Sequence, residues 1–276
     1  MSTPETNESR PVVLVGCGRL GSAIVEGWLH TGGVGASDLI ILTPSSKPTA
    51  DAAVARGASL NPSPDALGPD ALATARAVVL AVKPAMWRAA VADLVEILAP
   101  DAIIVSVMAG VRAADLSEAF LGRSVARVMP TTAVATGQGV AALWSPNRVA
   151  REVAHALFDT LADTVELDRE DLIDVATAVA GSGPAYVHAF TRALAEAGEA
   201  QGLDPASALT LARGAVRSAA AADRAETLDA LIARVASPGG TTEAGLKALN
   251  DGGTLDGAVG AAVSAALARA RELAKG

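Results

Sequence analysis

The chain has 276 residues, 51% of them hydrophobic but only 3% aromatic, and a formal net charge of −8. That length allows one large domain or two of ordinary size, with a core built mainly from Ala, Val and Leu, and such an apolar surplus often covers a subunit interface. The acidic balance argues against nucleic acid and anionic membranes as partners, and Cys17 as sole cysteine excludes an intrachain disulfide.

Residues 1–10 read as a disordered tail. The first eleven residues are polar with no apolar h-region, so no ordinary signal peptide is expected. No uninterrupted apolar run approaches the ~18 residues that span a bilayer, and the expected location is cytoplasmic. Val12 to Val15 is an apolar run of mostly β-branched residues, suited to a strand buried on both faces. It leads through Gly16, Cys17, Gly18, Arg19, Leu20 and Gly21, with glycines spaced G-x-G-x-x-G, into a helical pattern from Ser22 to Leu29. The first glycine permits a tight turn, the second admits a pyrophosphate to the backbone, and the third lets helix and strand pack closely. The phosphates would sit on the helix N-terminus. The alternative is a mere tight turn. Cys17 reads as a small filler, with redox sensing as the alternative.

Further strands are expected at Leu39 to Leu42, Ala77 to Val82, Ile103 to Val107, Val125 to Met129 and Val140 to Leu143. Between them lie helix-period segments at Ala50 to Arg56, Ala85 to Leu98 and Ala113 to Leu121. Repeated strand-then-helix order predicts an α/β fold, a mostly parallel, doubly wound Rossmann-type sheet. The strand signal stops near Thr164 to Leu167. Beyond it the pattern is helical, at Glu170 to Ala180, Ala185 to Gln201, Pro205 to Asp223, Leu228 to Val235, Thr242 to Leu249 and Leu255 to Ala274. The expected organisation is therefore a dinucleotide-binding domain over 11–168 and an all-helical domain over 169–276.

The end of the second strand chooses between the nicotinamide cofactors. Here it runs into Thr43, Pro44, Ser45, Ser46 and Lys47, with three hydroxyls, one ammonium and no carboxylate. Such a turn suits the 2′-phosphate of NADPH; the plain alternative is a polar turn. Ala81, Val82, Lys83 and Pro84 at the end of a third strand would face the cofactor, with proline fixing the turn. Lys83 is either a phosphate contact or a solvated lysine. Met108 and Ala109, followed by Gly110, are small or slender residues against which a nicotinamide could lie. In the helical half, Ser237-Pro238-Gly239-Gly240-Thr241-Thr242 frees several backbone N–H groups at the start of a helix, an arrangement that suits a substrate carboxylate. Alternatively a threonine there is only an N-cap.

The chain resembles pyrroline-5-carboxylate reductases. The resemblance rests on VGCGRLG (Val15 to Gly21), AVKP (Ala81 to Pro84), RVMPTT (Arg127 to Thr132), AGSGPAY (Ala180 to Tyr186) and VASPGGTTEAGL (Val235 to Leu246), in the family's order. It implies an N-terminal NADP-binding Rossmann domain, a C-terminal helical domain that dimerises, often within a larger ring, and hydride transfer from NAD(P)H to 1-pyrroline-5-carboxylate, yielding L-proline. It also implies that Ser237, Gly239, Gly240 and Thr241 receive the substrate carboxylate, that Thr242 lies near the ring nitrogen as the catalytic residue, and that Glu170 borders the substrate pocket. No catalytic Lys, His or Cys is needed, because a protonated cyclic imine is already an electrophile. His30, His155 and His188 are scattered without ligand spacing, so no metal is expected.

The family usually reads M-P-N-T-P where this chain has Met129-Pro130-Thr131-Thr132-Ala133. Thr131 thus puts a hydroxyl in place of an amide near the nicotinamide. Two other readings stand beside this one. A β-hydroxyacid dehydrogenase would use a lysine of the helical half, Lys247 or Lys275. A nucleotide-sensing regulator would bind NADPH without turnover.

Overall fold

Strand β1 (Val12–Val15) is a VVLV run with every residue buried, because the sheet is covered on both faces. The computed structural model describes residues 10–45, 47–62, 71–222 and 225–273. With β1 go β2 (Leu39–Leu42), β3 (Ser59–Leu60), β4 (Ala77–Leu80), β5 (Ile103–Ser106), β6 (Val125–Pro130), β7 (Gly139–Trp144) and β8 (Ala162–Glu166). They form one eight-stranded sheet in the order β3-β2-β1-β4-β5-β6-β7-β8. All pairs are parallel except β6 with β7. The 3-2-1-4-5-6 portion is the strand order of a dinucleotide-binding fold, with its switch point between β1 and β4. The expected doubly wound architecture is present.

Alternate strand residues serve opposite faces. Val12, Leu14, Leu39 and Ile41 pack with Ile24 and Trp28 of α1 (Arg19–Thr31) and with Leu157 and Phe158 of α5 (Arg148–Phe158). The indole N–H of Trp28 donates to the Leu157 carbonyl at 2.7 Å, satisfying one of the acceptors that the end of α5 leaves open. Val13, Val15, Val78 and Leu80 pack with Trp87 and Val91 of α3 (Trp87–Val91) and Leu116 of α4 (Ala113–Ala119). Between β2 and β3 runs α2 (Pro48–Val54), which has proline at its start.

The described residues fall into two compact units, one within Met1–Gly181 and Leu267–Gly276, the other within Ser182–Ala266. The second unit is helical: α7 (Gly183–Ala200), α8 (Pro205–Ala220), α9 (Leu228–Val235), α10 (Thr241–Leu249) and most of α11 (Thr254–Leu273). Its buried cluster holds only Ala195, Ala208 and Ala212, while Phe190, Leu211, Leu228 and Val235 stand exposed. No helix among the described residues is long and apolar enough to cross a membrane. Residues 1–9 of the expected tail lie outside the described residues. Arg10 is held by Asp101 at 2.8 and 2.9 Å and by the Thr74 carbonyl at 2.7 Å.

Two local expectations change, and one strand was not expected. The periodic stretch Ala85 to Leu98 is not one helix: a 3-10 turn (Pro84–Met86) and the short α3 precede successive turns. Trp87, Val91, Leu94 and Leu98 still bury their side chains, but i→i+3 bonds from Leu94 and Ile97 wind this stretch more tightly than an α-helix. The expected helix Glu170 to Ala180 splits into α6 (Leu172–Ala176) and a π-helical turn over Thr177–Gly181. There the Thr177 hydroxyl donates to the Ile173 carbonyl at 2.8 Å and competes with the helix's own bonding. Strand β3 is too short to carry a periodic signal.

Strand β8 is clasped to α5 through His155, whose Nδ1 lies 2.9 Å from Asp159 and whose Nε2 lies 2.8 Å from Glu166. Arg151 also faces Glu166, at 3.6 Å. Burial pushes the imidazole pKa down, but the two carboxylates outweigh it and hold the pKa above the ordinary value of 6.5. A raised histidine pKa contributes stability that is complete below the unfolded-state value and is lost as pH rises through the folded one. The unfolding free energy of the wild type should therefore exceed that of His155→Gln at about pH 5.5 by more than it does at about pH 8.5. Urea titrations at both pH values check this, and a gap that does not change with pH would refute the clasp.

Candidate functional site

The glycine loop after β1 separates into structural and open positions. Gly16 has φ +96, and a Cβ on it would lie 2.7 Å from Val82 Cγ1 and 2.8 Å from the Ala81 carbonyl oxygen. A Cβ on Gly21 would lie 2.1 Å from the Gly16 oxygen. Both positions are closed to any side chain by the fold itself. Gly18 is different: its φ of −75 suits any residue, and a Cβ there would meet nothing within 4 Å. The protein leaves that space empty, beside the start of α1, where Gly18 provides no side-chain cap and the first turn holds no acidic residue. The free N–H groups and the positive end of the helix are thus available to an anion. A pyrophosphate fits this cradle. Arg19 is exposed at its rim, and Leu20 is half-buried. Cys17 is fully buried, its Sγ 3.5 Å from Ser22 Oγ, the setting of a filler.

At the end of β2 the side chain of Asn61 grips Thr43 in both directions. Its Oδ1 accepts the Thr43 N–H at 2.8 Å, and its Nδ2 donates to the Thr43 carbonyl at 2.6 Å. Thr43 is buried, and its hydroxyl donates to the Ser45 carbonyl at 3.3 Å, so it shapes the turn. Ser45 is exposed and Lys47 half-buried at this strand end. Ser46 lies outside the described residues. Asn61 escaped the sequence reading, although the Asn61-Pro62 dipeptide after an apolar pair is a turn signal.

The other strand ends form the far half of the same edge. Ala81 and Val82 are half-buried, and the Ala81 N–H donates to the Val15 carbonyl at 2.8 Å, which binds this turn to the glycine loop. Lys83 is exposed and opens the turn that Pro84 continues. After β5, Met108 is buried, Ala109 half-buried, and Gly110 takes φ +76. After β6, the Thr131 N–H donates to the Val140 carbonyl at 3.0 Å, and the Thr131 hydroxyl accepts the Val140 N–H at 3.2 Å. Its hydroxyl is therefore engaged in extending the β6–β7 pairing.

In the second unit, Ser237 to Gly240 forms a turn into α10. Gly239 has φ +70, and Gly240 is an N-cap with no side-chain cap. The Gly239 N–H donates to Glu243 Oε2 at 2.7 Å, so this loop already holds a carboxylate of its own chain. Ser237, Gly239 and Thr241 are exposed; Gly240 and Thr242 are half-buried. Lys247 is exposed in the last turn of α10, and Lys275 lies outside the described residues. Glu170 belongs to the first unit, where its Oε1 accepts the Ala113 N–H at 2.7 Å and an Arg127 N–H at 3.1 Å. Among the described residues no group of three or more His, Cys, Asp or Glu is placed to hold a metal.

Residues 170–273 match the family model described as pyrroline-5-carboxylate reductase dimerisation, and residues 11–110 match that of NADP oxidoreductase, coenzyme F420-dependent. The chain is 36% identical to the pyrroline-5-carboxylate reductase of Pseudomonas aeruginosa, over 100% of this chain and 98% of that relative. The chain belongs to the pyrroline-5-carboxylate reductase family. The pyrroline-5-carboxylate reductase of Pisum sativum is 33% identical over 98% of both chains. Among solved structures, the pyrroline-5-carboxylate reductase of Coxiella burnetii superposes with a TM-score of 0.86 at 27% identity, covering 97% of this chain and 100% of that one. A Plasmodium falciparum pyrroline carboxylate reductase with NADP bound gives 0.77 at 25% identity, covering 97% of this chain and 99% of that one.

Within this reductase, the cofactor candidates Gly16 to Gly21, Thr43 to Lys47, Ala81 to Pro84, Met108, Ala109 and Thr131 gather along the carboxyl ends of β1, β2, β4, β5 and β6, with Ser46 undescribed. Those strand ends are where ligands of open α/β sheets bind.

Proposed function

We propose that this reductase converts 1-pyrroline-5-carboxylate to L-proline, the last step of proline biosynthesis, with NADPH preferred over NADH. When bound, the nicotinamide cofactor supplies a hydride to the ring carbon of the C=N bond. The observation that carries the reading is the pairing of two anion-ready helix starts with separate tasks. The start of α1 keeps an empty space at Gly18 for pyrophosphate, and the start of α10, with no side-chain cap at Gly240, seats its own Glu243 carboxylate on the Gly239 N–H.

The protein's own work is orientation. The N–H groups that the first turn of α10 leaves open, with the hydroxyls of Ser237 and Thr241, take the substrate carboxylate, which displaces Glu243 from the Gly239 N–H and fixes the ring. The Thr242 hydroxyl lies near the ring nitrogen, which keeps its proton and receives the C=N electron pair as the amine forms. Met108, Ala109 and Thr131 border the nicotinamide end of the cofactor. Such preorganised geometry supplies the rate without an acid–base pair. The deciding assay is loss of NADPH absorbance on adding 1-pyrroline-5-carboxylate, with 1-pyrroline-2-carboxylate and piperideine carboxylates as comparisons. Turnover of the 5-carboxylate above the others supports the reading, and NADPH binding without turnover of any of them refutes it.

Cofactor preference follows from the β2 end. Ser45 is exposed and has no carboxylate beside it in Thr43 to Lys47. Ser45→Asp should lower kcat/KM with NADPH about tenfold or more and leave NADH nearly unaffected, by repulsion of the 2′-phosphate. Steady-state comparison at fixed imine checks this; an unchanged ratio would place the 2′-phosphate elsewhere.

We further infer a cytosolic homodimer or a ring of dimers, with no nucleic-acid or membrane partner. The net charge of −8 supports the second part. The exposed Phe190, Leu211, Leu228 and Val235, on a unit whose own buried cluster is three alanines, support the first.

A further inference from the structure

Glu170 is half-buried, its side chain 16% exposed. Ala113, whose N–H its Oε1 accepts, is the first residue of α4, and the N-cap Arg112 makes no side-chain cap. Glu170 thus satisfies a donor that the helix start leaves open. Arg127, the second donor to the same oxygen, sits on β6 between Ser106 and Trp144 and is only 2% exposed. Among the described residues its Nε and second terminal nitrogen have no hydrogen-bond partner, and its other carboxylate neighbour, Asp174, stands 3.9 Å away. Among the described residues, Glu170 is therefore the hydrogen-bonding anchor of a buried cation. A buried charge deprived of its partner is strongly unfavourable, so the Arg127–Glu170 bond is held firmly.

From this arrangement we propose that Glu170 is a positioning residue. Arg127 holds Glu170, Glu170 holds the first N–H of α4, and that bond fixes where the chain returns from the 107–112 segment carrying Met108, Ala109 and Gly110. The inference rests on the reading of that segment as the nicotinamide end of the site. It replaces a direct contact between Glu170 and substrate with a three-link relay from the centre of the sheet to the cofactor's reactive end.

The test uses Glu170→Gln, Glu170→Ala and Ala113→Pro in the full-length protein. Glutamine keeps an oxygen that can accept both bonds, so its kcat should stay within about threefold of wild type. Alanine removes the anchor, and displacement of the segment should lower kcat about ten- to a hundredfold. Proline at Ala113 deletes the donor and sets its Cδ where the N–H pointed, displacing the Glu170 carboxylate from the start of α4, at a first-turn position and after a residue, Arg112, already at φ −73 and ψ 146. It should reproduce the kcat loss with the Glu170 side chain still present. Both damaging variants should weaken NADPH binding and leave 2′,5′-ADP, which lacks the nicotinamide half, bound as in wild type. Equal rises in the KM for imine in Glu170→Ala and Glu170→Gln, with NADPH binding unchanged and Ala113→Pro fully active, would overturn the relay in favour of direct substrate contact. If Glu170→Ala fails to fold, the decision rests on the binding readouts of Ala113→Pro: weaker NADPH with unchanged 2′,5′-ADP supports the relay, and a raised KM for imine with unchanged NADPH overturns it. Ala109→Leu separates the underlying reading: if it leaves NADPH binding intact, the 107–112 segment is not at the nicotinamide, whatever the relay does.

Discussion

Thr242→Val should lower kcat/KM for the imine about ten- to a hundredfold while leaving NADPH affinity nearly unchanged. Valine keeps the shape of threonine and deletes the hydroxyl, and a lost hydrogen bond to a charged group costs on the order of 1.5–3 kcal/mol. Thr242 is half-buried in the first turn of α10, a helix that carries none of the cofactor candidates, so NADPH affinity should hold. Gly240→Asp should abolish turnover by placing a negative charge against the carboxylate site. A Cβ at that position also meets Ser237 Oγ at 2.5 Å and the Ser237 carbonyl oxygen at 2.9 Å, so Gly240→Ala must accompany it as the steric control. A folded Gly240→Asp enzyme with near-normal turnover would show that the carboxylate binds elsewhere. Loss of NADPH binding alone in both variants would assign the loop to the cofactor.

Gly18→Val should abolish NADPH binding, by more than about a hundredfold in Kd, in a protein as stable as wild type. The side chain enters a space where the fold has no atoms within 4 Å of a Cβ, at a φ of −75 that valine adopts freely. It also stands where a pyrophosphate must approach the backbone. Gly21→Ala makes the contrast: its methyl would lie 2.1 Å from the Gly16 oxygen, so it should damage the turn itself and lower the melting temperature. Isothermal titration with NADP+ and thermal melts separate the two outcomes. A Gly18→Val protein that binds NADP+ normally would move the pyrophosphate off α1.

Strands β1, β2, β4 and β5 were readable because each is a run of buried apolar residues between turn signals, as a sheet covered on both sides demands. The glycine loop was readable for a related reason, since Gly16 and Gly21 answer to backbone geometry within a few residues. What escaped was decided at long range. Glu170 and Arg127 lie 43 positions apart, and nothing local in either segment announces their bond. Asn61 reaches Thr43 across 18 positions through a side chain whose neighbours suggest only a turn. Thr131 looked like a departure at a cofactor-facing position, yet its hydroxyl has a partner in Val140 that only the antiparallel return of β7 supplies. The tight winding after Trp87 has the same origin, because helix spacing and successive turns bury the same side chains there.

The Asn61 grip on Thr43 makes the residues that follow an interchangeable cassette. Two amide bonds, at 2.8 and 2.6 Å, pin the exit of β2 independently of what occupies 44–47. Pro48 then restarts the chain as helix at a position set by its own ring. A sequence exchanged between those two fixed ends inherits the frame without having to build it. Grafting this short segment between relatives should therefore shift the ratio of kcat/KM for NADPH over NADH, with the sheet and the glycine turn left untouched.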